Sequence, residues 1–255
     1  MALITKFTVK HLLGLGTKTV QTVATRSAHK KGETQSNSYI IIRPDKHNYS
    51  EIVDVMYDSY FRDEPIVRCL GVGKMPNSVL EEEIVRELSQ GLSLIAKCKY
   101  DGCIVGGAIN CGACPWDPDV MDKFACTLSN QKMRQLFQFW AYIQRAPNLW
   151  NLTCTRKIFE ISHLFVLPDE RNKGLASQLI KKSIETGADC GFTCIRVDAS
   201  TAKTAKICEK IGMKLVYEIP YCSYLGTNQR PVIEPHPTET SVKTYVTTPH
   251  FPKKK

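Results

Sequence analysis

The chain has 255 residues, enough for one large domain or two small ones, and a hydrophobic fraction of 43%, ordinary for a packed core. No apolar run reaches bilayer length, which argues against a membrane span. Net charge is +9, but residues 1–32 hold five Lys, one Arg and no acid, so only +3 falls on the rest. That suits an anionic cofactor and is too little to mark a nucleic-acid surface.

Residues 1–38 read as a basic leader. Lys6, Lys10 and Lys18 are interleaved with Phe7, Val9, Leu12 and Leu13, without the continuous apolar core of a secretory signal. This is the composition of a mitochondrial transit peptide, with processing near Arg26-Ser27. The alternative is a basic arm on a cytoplasmic protein.

The folded region is expected at 39–225. Residues 39–43 form a short strand ended by Pro44. Ile52, Val55, Met56 and Ser59 fall at helical spacing, and that helix should stop near Phe61. Ser78-Val79-Leu80-Glu81 has the form of a capping box. Residues 92–99 and 103–109 flank Tyr100-Asp101-Gly102 as a hairpin. A loop at 110–119 leads into one or two helices over 121–145. Strands at 157–167, 193–197 and 214–219 alternate with helices that begin at Leu175 and span 202–211. Residues 226–255 are rich in Pro, Thr and Lys and read as an extended C-terminal extension. The order is β-α-α-β-β-α-β-α-β-α-β, which one mixed sheet with helices on both faces satisfies.

Eleven Cys is a high count, but it is odd and no secretory signal accompanies it. Reduced thiols are therefore expected. Cys111 and Cys114 form a CxxC that could join Cys98 and Cys103 at a metal or act as a redox pair. Without a second CxxC at ribbon spacing, we expect no metal and read the thiols mainly as small apolar residues.

The most informative stretch is Arg171-Asn172-Lys173-Gly174-Leu175-Ala176. It joins an apolar strand to an amphipathic helix, where backbone N–H groups are unpaired and the helix dipole is positive. Two cations and a glycine complete an anion site suited to phosphate or pyrophosphate. Elsewhere, Asp63 and Glu64 precede Pro65 at a helix end. Solvated acids or a carboxylate at a cleft mouth would both fit.

The hexamer has the form Arg/Gln-x-x-Gly-x-Gly/Ala and resembles the pyrophosphate loop of the GCN5-related N-acetyltransferases, which bind acetyl-coenzyme A. The element order agrees, with the loop after the fourth strand. The resemblance implies an α/β fold with a single mixed, mostly antiparallel sheet. Within that superfamily, Asp63-Glu64-Pro65 resembles the Asp-Glu-Pro signature of insect arylalkylamine N-acetyltransferases. It implies Glu64 as general base, acting on the amine through water. Ser200 matches the first of two serines proposed to assist, and Thr204 stands at the second, with an added methyl. Ser200 is also a plausible helix N-cap.

By the same resemblance, backbone groups at Leu164 and Val166 would pair with the pantetheine arm, and residues 171–176 would hold the diphosphate. Cys208 stands where more distant members place a proton-donating Tyr; we assign it no role. On the strand, Glu160 and Ser162 share a face by the two-residue period, and His163 points the other way. Tyr57, Tyr60, Phe61, Trp116, Trp140, Met121 and Tyr221 are available for an apolar acceptor slot.

The expected activity is acetyl transfer to a small-molecule primary amine such as dopamine, tyramine or serotonin, by a monomer. Agmatine or polyamine acceptors and longer acyl donors stay open. So do a coenzyme A-binding protein without turnover and a zinc- or nucleic-acid-binding regulator.

Overall fold

A computed structural model describes residues 38–248. The basic leader, and with it the transit-peptide expectation, lies outside the described residues. One seven-stranded sheet organises the rest: β1 (Tyr39–Ile42), β2 (Leu94–Cys98), β3 (Ile104–Ala113), β4 (Ile158–Val166), β5 (Ile195–Ala199), β6 (Lys214–Pro220) and β7 (Ser241–Thr247). Their spatial order is β1-β2-β3-β4-β5-β7-β6. Only the β4–β5 pair is parallel.

Helices cover both faces, as the element order predicts. On one face lie α1 (Tyr49–Asp58), α2 (Tyr60–Asp63), α3 (Pro65–Leu70), α4 (Ser78–Leu88), α5 (Asp117–Thr127) and α6 (Gln131–Arg145). The other face carries α8 (Leu175–Asp189) and α9 (Ala202–Lys210). The hairpin turn is as expected, with Gly102 at φ 71°, a conformation that favours glycine.

Several boundaries differ from the sequence reading. Asn77, not Ser78, caps α4, its side chain accepting from Val79 and Leu80 N–H. Strand β3 runs to Ala113, through the first residues assigned to a loop. A short helix, α7 (Leu149–Thr153), was not anticipated.

The largest correction concerns 226–248, the described part of the expected C-terminal extension. The expected extended tail instead supplies β7, inserted between β5 and β6. Val242 and Tyr245 are buried on opposite faces of the sheet. The Thr244 hydroxyl donates to Asp198 Oδ1 at 2.6 Å, and the Tyr245 hydroxyl to Glu209 Oε1 at 2.7 Å. Composition hid the strand because Pro and Thr dominate its approach, whereas strand formation follows cross-strand pairing and burial.

The thiols also separate. Cys98 and Cys103 face each other across the β2–β3 hairpin, where Cys98 N donates to Cys103 O at 2.9 Å. Cys111 and Cys114 lie toward the far end of β3. Eight residues of strand at about 3.3 Å each put Cys103 and Cys111 roughly 26 Å apart, so the four cannot share one metal. Among the described residues, no group of three or more His, Cys, Asp or Glu is placed to hold a metal ion.

Because β7 is internal to the sheet, truncation after Thr240 should abolish cooperative thermal unfolding. Burial of Val242 and Tyr245 alone accounts for about 3–6 kcal/mol, a large share of a domain's typical stability. Circular dichroism melting checks this; a melting temperature within about 2 °C of the full chain would show that β7 is dispensable.

Candidate active site

The site begins with an irregularity in β4. Against β3, Ile109 pairs with His163 and Asn110 with Ile161, so Ser162 is an extra residue in β4. Side chains change phase there. Phe159 and Ile161 pack toward α8, as do Leu164 and Val166. Phe165 packs on the opposite face, where Ser162 and His163 both reach Glu87 of α4. A bulge bends its strand and re-aims side chains. The strict two-residue alternation that separated Ser162 from His163 therefore fails at this point.

The bend coincides with a parting of strands. The β4–β5 ladder covers only Phe159↔Ile195, Glu160↔Arg196 and Ile161↔Val197. Beyond it, β4 continues to Val166 and β5 to Ala199 without pairing to each other. The β5-facing edge of residues 162–166 thus offers backbone groups to an added extended chain. Leu164 and Val166 lie on this stretch, their other edge paired with Ala108 and Gly106 of β3.

At the end of this notch lies the 171–176 turn. Asn172 (φ 63°) and Gly174 (φ 80°) both adopt left-handed backbone conformations. Gly174 is the N-cap of α8, and no side chain caps that helix. A Cβ added to Gly174 would meet no atom within 4 Å. The turn therefore presents Leu175, Ala176 and the following N–H groups toward open space, as an anion requires. Its cations are already engaged. Arg171 Nε donates to Val166 O at 3.0 Å, and its guanidinium pairs with Asp63 at 2.7 Å. Lys173 pairs with Glu170 at 2.9 Å. Backbone geometry, more than free side-chain charge, makes this turn suited to an anion.

Glu64 sits between α2 and α3. Pro65 starts α3 with its φ preset, and Glu64 Oε2 accepts from Ile66 N at 2.9 Å and Val67 N at 2.7 Å. The carboxyl is buried, with 6% exposure. Burial pushes it up to about 7, against the lowering effect of hydrogen bonds from Val67 N, the Ser200 side chain and Ile66 N. Asp63 faces the other way, onto Arg62 and Arg171, and those partners hold it below its usual value despite partial burial.

Glu64 and Ser200 line one cavity of about 80 Å³ on the α1–α6 face. Of the anticipated slot residues, Tyr60, Met121 and Trp140 line it. Trp116 is exposed, Phe61 is core, and Tyr57 donates to Glu81 Oε1. Tyr221 instead donates to Ser200 O at 3.0 Å. Thr204 is not brought to the cavity. Its hydroxyl pairs with that of Thr201 at 3.0 Å, and Thr201, rather than Ser200, caps α9. Cys208 is buried in the α8–α9 core and pushed up to about 12 by burial, so it is a poor proton donor.

The cavity also contains groups that the sequence reading missed. Phe139, Ile143 and Gln144 come from α6, Asp198 from β5, and Glu87 from α4. Glu87 shares the buried stripe of α4 with Leu80, Ile84 and Leu88. Its phase on the helix was the available signal, but only the capping signal of this helix was read from the sequence. Glu160 accepts from Gln144 Nε2 at 2.8 Å. Burial raises it, while the Arg196 guanidinium opposes that shift. Arg196 is fully buried and ties β5 to the end of α6 by donating to Ile143 O at 2.7 Å and Gln144 O at 3.1 Å.

Comparison with solved structures supports the same architecture. Mosquito arylalkylamine N-acetyltransferase like 5b superposes with a TM-score of 0.78 at 21% identity, over 83% of this chain and 100% of that one. Arylalkylamine N-acetyltransferase 2 from Aedes aegypti also gives 0.78, at 24% identity, over 84% and 100%. The Drosophila melanogaster polyamine N-acetyltransferase, which forms N-acetylagmatine, gives 0.76 at 19% identity, over 82% and 99%. At these identities the likeness is one of fold. A model of the acetyltransferase (GNAT) family, whose members use acetyl-coenzyme A, matches residues 53–213, well over half of the sequence. The chain belongs to the GNAT acetyltransferase family.

Proposed function

We propose that this protein transfers an acetyl group from acetyl-coenzyme A to a primary amine, an arylalkylamine first of all, with Glu64 as general base. The carrying observation is Glu64 itself: a buried carboxyl, pushed up to about 7, in the same cavity as Ser200. The unpaired β4 edge and the uncapped start of α8 fit the donor's extended arm and diphosphate. When bound there, acetyl-coenzyme A supplies the acetyl group as an activated thioester.

The chain's own residues have defined tasks. An alkylammonium titrates near 10, like a lysine side chain, and reaches the cavity protonated. Ionised Glu64 attracts it and takes its proton, directly or through water, leaving the nitrogen lone pair free to attack. The Ser200 hydroxyl favours the ionised carboxylate, opposing the effect of burial. Tyr60, Phe139 and Trp140 provide ring-sized apolar walls that exclude water. A second reading, agmatine or a polyamine as acceptor, draws support from the additional carboxyls of Glu83, Glu87 and Glu160 in the same cavity.

Turnover of tyramine, dopamine, serotonin, agmatine and spermidine, with acetyl and long-chain acyl donors, tests the reading. Donor binding without turnover of any amine would instead identify a coenzyme A-binding protein. In the active enzyme, kcat/KM should rise with pH through about 7 as Glu64 ionises. Glu64→Ala should lower kcat about 10²–10⁴-fold and remove that limb. Asp63→Ala should act differently, by releasing Arg171 and changing donor affinity while the limb near 7 persists. A dead Asp63→Ala beside an active Glu64→Ala would reverse the assignment.

Ser200→Ala removes a hydrogen bond that lowers the Glu64 value. The acid limb of its pH–rate profile should therefore move above 7, whereas Thr204→Val should leave it in place. Profiles that shift equally for both variants would contradict the separation of these hydroxyls.

Gly174→Glu should fold, at a cost of about 1 kcal/mol for a side chain at positive φ. It should weaken acetyl-coenzyme A binding at least about 30-fold by adding negative charge to the anion site. Calorimetry showing wild-type affinity would remove the diphosphate from this turn.

A further inference from the structure

Resting on the amine-acetylating reading, we propose that Glu87, Ser162 and His163 form a second recognition point, which takes a hydrogen-bond donor at the far end of the acceptor. The cavity crosses the sheet face. Ser200 and Asp198 mark its β5 end, and Glu87 of α4, which packs over β3, marks the other. Tyr60 stands between, its hydroxyl within the field of both Glu64 and Glu87. An amine deprotonated at Glu64 would extend its remaining length toward α4.

That far end is built as a polar receptor. Ser162 Oγ donates to Glu87 Oε2 at 2.6 Å, and His163 Nε2 lies 3.4 Å from the same oxygen. The His163 ring is fixed edge-on against Tyr60 and Trp140, at 5.0 and 5.8 Å between centroids. Burial favours the neutral form of each, pulling His163 down to about 3 and pushing Glu87 up. With the ring proton assigned to Nε2, facing the Glu87 oxygen that also accepts from Ser162, Nδ1 is an acceptor. It is buried and has no hydrogen-bond partner among the described residues. Nearby in the same cavity, Gln144 Oε1 is in the same condition, although its amide nitrogen is bound to Glu160.

In this tautomer both unpartnered atoms accept hydrogen bonds, so the complementary ligand group is a donor. A histidine serving only the core would be expected to have both nitrogens satisfied. A site built to bond a donor discriminates strongly against an analogue that lacks it, because its own buried groups then stay unpaired. A hydroxyl and a second ammonium both meet this requirement.

Two substrate pairs isolate that group: tyramine against 2-phenylethylamine, and 1,4-diaminobutane against butylamine. For at least one pair, the donor-bearing member should have a kcat/KM about tenfold or more above its partner. In His163→Phe and Glu87→Leu that ratio should fall to about threefold or less. Both members are assayed on the same preparation, so a partly folded variant does not distort the ratio. If Glu87→Leu is insoluble, Ser162→Ala carries the same test. The responsive pair identifies the distal group as hydroxyl or ammonium. Ratios near one for both pairs in the wild type, or a preference that survives the substitutions, would overturn the recognition point alone. No turnover of any amine would overturn the acetyltransferase reading, and this inference with it.

Discussion

The extra residue at Ser162 in β4 is the constraint on which the rest of the site depends. With Ile161 and His163 facing adjacent residues of β3, β4 must bend and its side chains must change phase. The bend falls where the β4–β5 ladder stops, opening a notch between two otherwise neighbouring strands. The change of phase brings Glu160, Ser162 and His163 to one cavity. Asn110, opposite the irregularity, is fully buried and anchors it, with its amide group donating to Leu92 O and Ser183 Oγ at 3.0 Å each. One register shift thus creates both a strand edge without a ladder partner and a polar wall of the cavity.

Electrostatics explain why this wall can exist inside a core. Glu64, Glu87 and Glu160 are all buried, and isolated buried carboxylates are costly. Each is moderated by different means. Glu64 takes two backbone N–H groups and a hydroxyl. Glu160 has Gln144 and the field of Arg196. Glu87 lies against a neutral histidine and a serine, with its carboxyl pushed up. Burial raises all three, which share a residue type and a cavity but have different partners. Glu64, pushed up to about 7, lies in the range where a carboxyl exchanges a proton near neutral pH.

Arg196 and β7 join this chemistry to the fold. Arg196 binds the last carbonyls of α6 and also Asp198 at 2.7 Å. Asp198 in turn accepts from Thr244 of β7. The helix that supplies Trp140 and Gln144, the strand that leads to Ser200 and the late strand β7 are consequently held by one polar chain. Fold and site stand or fall together where β5 meets β7.

Much of this was legible in the sequence because it is local. Hydrophobic period located most strands and helices, and Gly102 and Gly174 marked turns requiring left-handed backbone. The junction at 171–176 could be read as a helix start, where N–H groups are exposed wherever it occurs. Asp63-Glu64-Pro65 could be placed at a helix boundary, although only packing showed that Glu64 turns inward and Asp63 turns to Arg171. Non-local features were decided by the tertiary structure. Strand β7 forms because β5 and β6 leave room between them. Glu87 becomes a cavity group because its stripe of α4 meets β3, and Thr204 stays outside because Thr201 claims its hydroxyl. His163 joins Ser162 on one face because a bulge overrides the two-residue period. Sequence specifies periodicity and termini through neighbouring residues, whereas register, facing and burial are set by partners far along the chain.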